Sequence, residues 1–143
     1  MIIIKYTKIE MSNITPPKIV SKVAHEGNNF KIIYVNADIY IGELNKNGLF
    51  EGLGKYVSNG KNYFNGNFKD GKKYGSCVEM WWNIKFEGNY VNNKREGNGL
   101  ETYEDGSFSH GNYTNDKRNG VFNFTRVNGT EYKISYINGE VAT

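Results

Sequence analysis

The sequence is short of most features that anchor a chain from outside its own core. It holds one cysteine, Cys77, in 143 residues. A single thiol excludes an internal disulfide and a cysteine metal cluster, and no cofactor or metal site is expected. The two histidines, His25 and His110, are 85 residues apart, and each lacks a nearby acid or thiol partner in a recognisable spacing. Only two prolines accompany 17 glycines. The glycine content is periodic, so it reads as turns and close backbone approach, not as a disordered linker. No apolar run approaches the roughly 20 residues of a membrane-spanning helix. The opening Met1-Ile-Ile-Ile-Lys5 is too short for a secretory signal and has no small-residue cleavage site. A cytoplasmic protein, at most peripheral to a membrane or the cytoskeleton, is the expectation. Charge of one sign is also scarce where it would count. The net charge is +3, and residues 1–36 hold all of it, with five lysines against Glu10 and Glu26. Residues 37–143 carry thirteen basic and thirteen acidic side chains. A nucleic-acid binder shows a basic footprint over its binding surface, so DNA and RNA are not expected partners.

Aromatic rings are what the chain has in quantity. With 11 Tyr, 8 Phe and 2 Trp making 15% of the sequence, the core must be built largely from rings. They recur with a period. The lead glycines Gly42, Gly66, Gly88 and Gly111 stand 24, 22 and 23 residues apart, a spacing that signals stacked identical units. The third unit shows the pattern. Phe86, Gly88 and Tyr90 alternate on one face of a strand. Asn92-Asn93 ends it, with Lys94-Arg95-Glu96 completing the loop. Gly97, Gly99, Glu101 and Tyr103 alternate on the return strand, and Asp105-Gly106 turns into the next unit. Unit one runs from Tyr40, with a turn at Asn47-Gly48 and an exit at Asn59-Gly60; unit two runs from Phe64, turns at Asp70-Gly71 and returns through Gly75, Cys77 and Trp81. Unit four turns at Asn115-Asp116 and returns through Gly120, Phe122 and Phe124. A half-unit through Tyr132, Ile134 and Tyr136 closes the array. Glycine weakens a strand unless something needs the space; here a ring is expected to lie over the bare backbone.

These residues resemble the MORN repeat family, best in Phe86-Glu-Gly-Asn-Tyr90, Lys94-Arg-Glu-Gly-Asn-Gly99 and Tyr103-Glu-Asp-Gly106. The resemblance covers about residues 40–139 and departs at three points. Cys77 replaces a glycine, Gly120-Val-Phe122 is a variant of Gly-x-Gly, and Ser109 stands where a leading ring belongs, with Phe108 one place early. The resemblance implies an all-β fold, an elongated, twisted, single-layer antiparallel sheet of stacked hairpins. It also implies a non-catalytic scaffold that binds protein partners or itself, near membrane or cytoskeleton.

Ahead of the repeats, residues 28–39 read as a degenerate opening half-repeat before the array at 40–141, since terminal units are atypical. Residues 1–27 form a basic segment or cap. Within it, Thr15-Pro16-Pro17 followed by Ile19, Val20, Val23, Ala24 and Gly27 fits a two-turn helix; a mobile tail is the alternative.

Two surfaces are candidates for function. One is a partner-binding face of Tyr40, Phe64, Phe68, Trp81, Phe86, Tyr90 and Tyr103. Taken singly, each ring is inter-repeat packing; taken together, they form a groove for a helix or an extended peptide, since large apolar patches mark binding surfaces. The opposite face also has apolar content in Leu53, Val57, Val78, Met80, Trp82 and Leu100. The second candidate is a basic ridge of Lys72, Lys73, Lys94, Arg95, Lys117 and Arg118, which suits anionic phospholipid or simply keeps an edge soluble. A ligand or glycan reading rests on Trp81-Trp82 alone. Catalysis finds little: the carboxylates are scattered, and a Cys77–His110 pair would have to form in space.

Overall fold

Alternation and turn chemistry produce thirteen strands, in a computed structural model that describes residues 18–58 and 60–143. They are β1 (Ile19–Ala24), β2 (Phe30–Tyr34), β3 (Ile39–Leu44), β4 (Phe50–Ser58), β5 (Asn62–Lys69), β6 (Lys72–Trp81), β7 (Ile84–Val91), β8 (Lys94–Thr102), β9 (Phe108–Thr114), β10 (Lys117–Arg118), β11 (Gly120–Thr125), β12 (Glu131–Ile137) and β13 (Glu140–Val141). All belong to one open antiparallel sheet in chain order, with the short β10 pairing beside β9. This is the expected all-β array of stacked hairpins.

Two local expectations are corrected. Residues 19–24 form strand β1 and not a helix, pairing with β2 from Ile19↔Tyr34 to Ala24↔Phe30. The β-branched Ile19, Val20 and Val23 favour that state, and β2 offers an open row of backbone groups to join. Thr15-Pro16-Pro17 and Asn59 of the Asn59-Gly60 exit lie outside the described residues. The second correction concerns Lys94-Arg95-Glu96, which is strand and not loop. The hairpin turn needs only Asn92-Asn93, both left-handed at φ 48° and 68°, so pairing resumes at once as Val91↔Lys94 and Tyr90↔Arg95.

One face of the sheet is the core. Across it runs a trough of small residues in register: Gly42, Gly54, Gly66, Cys77, Gly88, Gly99 and Gly111. Rings from the flanking rows lie in this trough. A Cβ added at Gly88 would stand 2.5 Å from Phe86 Cζ, and one at Gly99 would collide with the same ring. Tyr40 covers Gly42 and Gly54 likewise, and its hydroxyl donates to the Glu43 carbonyl at 2.8 Å. The rings contact one another in sequence, mostly edge to face: Tyr40–Phe68, Phe68–Phe64, Phe64–Tyr90, Tyr90–Phe86, Phe86–Tyr113 and Tyr113–Phe122, with centroids 5.0–5.9 Å apart. Such geometry adds roughly 0.5–1.5 kcal/mol per pair to the burial itself.

The first glycine of each Gly-x-Gly has another task. Gly52, Gly75 and Gly97 sit at bulges where the ladder shifts register, and with Gly120 they take φ between 63° and 88°. Gly97 has open space at its Cβ position; Gly99 does not. Gly97→Ala is therefore expected to lose about 1–2 kcal/mol through backbone strain alone. Gly99→Ala should lose about 1–3 kcal/mol through overpacking. Urea melts with Phe86→Leu added separate the two causes, because the smaller side chain relieves Gly99→Ala and leaves Gly97→Ala unchanged.

Unit four solves the same packing in reverse. Ser109 stands at the leading-ring position and is fully buried, while Phe108 points away at 36% exposure. The register is kept: Ser109 pairs with Glu101 and with Phe124. The missing ring returns from the other strand, where Phe122 replaces the second glycine and lies 2.5 Å from a Cβ placed on Gly111.

Candidate interaction surfaces

Of the seven rings expected to form a partner-binding face, Tyr40, Phe64, Phe68, Phe86 and Tyr90 are buried at 0–6% exposure. Their surfaces meet neighbouring rings and the glycine trough, so an outside molecule reaches little of them. Tyr103 is half-buried and Trp81 is 46% exposed. Both lie at the rim of the same face, beyond the ring row.

The basic ridge divides by strand parity, a consequence of the short turns. Lys72, Lys94 and Lys117, the first residue after each turn, are exposed. Lys73, Arg95 and Arg118 point onto the ring face. Lys73 Nζ lies 4.6 Å from the Phe64 centroid, Arg95 Cζ 4.6 Å from that of Tyr113, and Arg118 Cζ 5.1 Å from that of Phe122. Acids set into the ring row hold them. Glu79 takes Lys73 and the Tyr90 hydroxyl. Glu101 accepts from Arg95 at 2.8 Å and from Arg118, and Arg95 also reaches Asp116 at 2.8 Å. Burial alone would raise the Glu101 pKa; Arg118, then Arg95, pull it below the ordinary carboxylate value. Burial raises the Tyr90 hydroxyl, and Glu79 raises it further. Unit one carries no such ions. At the positions of Lys73 and Glu79 it has Phe50 and Tyr56, and Phe50 stacks on Tyr40 with centroids 3.6 Å apart. Cation and acid are thus replaced together, and the Tyr56 hydroxyl donates at 2.7 Å to the buried carboxylate of Asp38, which also accepts from Asn36.

The structure does not bring Cys77 and His110 together. Cys77 lies in the trough, opposite Gly88, and its thiol is pushed up to about 12, chiefly by burial and then by Glu79. His110 pairs with Leu100 on the other face, so the sheet separates it from Cys77. Among the described residues, no three His, Cys, Asp or Glu side chains gather as a metal site, and no helix is long and apolar enough to cross a membrane.

The face away from the rings is the more accessible one. A cross-strand row there reads Ile33, Ile39, Val57, Tyr63 and Met80 over β2–β6. The next row reads Lys31, Ile41, Lys55, Asn65 and Val78. The five residues of the first row, with Ile41 and Val78, are half-buried; Leu53 on this face is 71% exposed.

The repeat geometry has a counterpart in sequence comparison. The family model for the MORN repeat matches residues 40–62 and 86–108. The chain carries MORN repeats. The two matched stretches are units one and three, which keep both trough glycines; unit two has Cys77 in place of the second, and unit four has Phe122 there and Ser109 at the leading-ring position. MORN repeats are generally non-catalytic modules for interaction with proteins or membranes. Comparison with curated proteins gives no match.

Proposed function

We propose that the chain is a non-catalytic docking platform, and that a partner protein lies on the outer face of β2–β6. One observation carries the reading: the ring face is closed on itself, whereas the outer face keeps a continuous apolar strip half-open. The strip of Ile33, Ile39, Val57, Tyr63 and Met80 crosses five strands, roughly 19 Å at the usual strand spacing. Its charged neighbours are Lys31 and Lys55, with no acid in the two rows over these strands. The complementary occupant is an amphipathic segment of a partner whose apolar stripe is flanked by Asp or Glu. The pinned rings and ion pairs contribute stiffness, which lowers the ordering cost of binding.

The test compares capture from native extract by the natural chain, by Val78→Glu with Met80→Glu, and by Lys94→Glu with Lys117→Glu. The outer-face pair is expected to weaken capture of the partner by about tenfold or more and to leave the melting temperature close to the natural one. The basic-edge pair should leave capture intact. Loss with the basic-edge pair alone would overturn the reading and favour an acidic ligand at the exposed lysines 72, 94 and 117.

A further inference from the structure

Each trough residue of β5–β9 has a polar neighbour in its own strand. Asn67, Ser76, Asn89, Asn98 and Asn112 adjoin Gly66, Cys77, Gly88, Gly99 and Gly111 and, by alternation, point to the outer face. They form one row. Ser76 pairs with Asn89, and Asn98 with Asn112. The bulges of β5–β6 and β7–β8 join Asn67 to Ser76 and Asn89 to Asn98. Four of the five are exposed, and Asn67 is half-buried. Each step is one strand spacing, so the row stays continuous along the twist of the sheet and spans roughly 19 Å.

Stability does not explain these residues. Asparagine is depleted in strands, where Thr, Val or Tyr fit better. The carboxamides also do little for one another. Among the described residues, the side chains of the row make two hydrogen bonds, Ser76 Oγ to Asn89 Oδ1 at 3.2 Å and Asn112 Nδ2 to the Tyr113 carbonyl at 3.4 Å. Asn67 and Asn98 keep both donors and acceptor for an outside molecule. No charged residue stands in the row. Apolar surface flanks it: Leu53, paired with Asn67, is 71% exposed, and Tyr74 and Val91 are each 43% exposed.

We propose that this row binds an uncharged, extended polysaccharide laid across the strands. A carboxamide both donates and accepts, as a sugar hydroxyl does, and neither carries charge. Each pyranose of a β-1,4-linked chain advances by about one strand spacing, so successive sugars meet successive side chains of the row. An extended peptide repeats its same-side groups every two residues, roughly 7 Å, and falls out of step. Leu53 and Tyr74 offer surfaces to the apolar faces of the sugar rings. Rotation about the glycosidic bonds lets the ligand follow the sheet's twist. The proposal is independent of the partner-protein reading, whose strip from Ile33 to Met80 lies nearer the opposite margin, and it uses neither Trp81 nor Trp82.

The experiment is calorimetric titration of the full chain with cellohexaose, with cellobiose, maltohexaose and a neutral Gly-Ser peptide alongside. Cellohexaose is expected to bind equally at low and at high salt, since no surface charge is involved to be screened. Cellobiose, which reaches fewer side chains of the row, and maltohexaose, whose linkage coils the chain, should bind about tenfold more weakly or less. Asn89→Val with Asn98→Val should weaken cellohexaose binding by about tenfold or more. The same change should leave the melting temperature unchanged or raise it, valine being the better strand former. Trp82→Asn should have no effect. The proposal is overturned if cellohexaose does not bind, if the valine variant binds it undiminished, if either control sugar matches it, or if Trp82→Asn alone removes binding. Tighter binding of the Gly-Ser peptide would assign the row to a peptide and overturn it. Light scattering that shows a dimer lost in the valine variant, without sugar, would assign the row to a second copy of the chain and overturn it equally.

Discussion

Replacing Glu101 with Gln is expected to cost about 3 kcal/mol of folding stability, the lower end of the range for breaking a buried ion pair. Glu101 is 7% exposed and holds Arg95 and Arg118 together, with the Tyr103 hydroxyl donating to it at 3.2 Å. Removing its charge strands Arg118 over Phe122, Phe124 and Tyr136; Arg95 keeps Asp116, which moderates the loss. The same residue sets an acid dependence. Its folded-state pKa lies below the ordinary 4.5. The carboxylate's contribution is therefore present above that value and disappears as pH falls through the lower, folded-state one. Urea melts of the natural chain and Glu101→Gln should differ at neutral pH and converge in acid; a constant gap would remove Glu101 from the acid response. Unit one suggests the control. Lys73→Phe with Glu79→Tyr copies its Phe50 and Tyr56, and should cost less than Glu79→Tyr alone, because no ion is left unpaired.

Truncating Phe122 should do at least as much harm. Phe122→Gly removes a fully buried ring that meets Tyr113 at 5.3 Å and Tyr136 at 5.4 Å, and it uncovers Gly111. A loss of about 3–5 kcal/mol is expected. Ser109→Phe alone should also destabilise, by about 1–3 kcal/mol, because its site is already full. Together the two changes restore the arrangement of unit three, with a leading ring over two glycines. The double variant should be more stable than the sum of the single losses, by a coupling of roughly 1–3 kcal/mol. Additive losses in calorimetry would show that Phe122 does not stand in for the ring missing at Ser109.

The hairpins and their stacking were legible because the signals are local and repeat. Asx-Gly pairs mark turns, alternation marks faces, and the 22- to 24-residue period imposes one answer on every copy. What escaped was parity near the turns. Reading Lys94-Arg95-Glu96 as loop hid the fact that a two-residue turn resumes pairing immediately, which sends Arg95 inward and Lys94 outward. The two glycines of Gly-x-Gly also look alike in sequence. Only the ladder shift separates Gly97, which needs its left-handed φ, from Gly99, which makes room for Phe86. Likewise Ile19, Val20 and Val23 carry a helical spacing, yet an unpaired β2 decides their state. The seven rings were legible as a row, but an alternating pattern does not say whether a ring is covered by its neighbours. Exposure separates Trp81 from Phe86.

Strand order in this sheet repeats chain order almost without exception, and each strand packs chiefly against the one before and the one after. The molecule is therefore a ruler. Copying one 23-residue segment would lengthen it by two strands, roughly 10 Å, and every junction elsewhere would stay as it was. Whatever it joins, the span between attachment points is counted in units, and evolution can adjust that span by whole graduations.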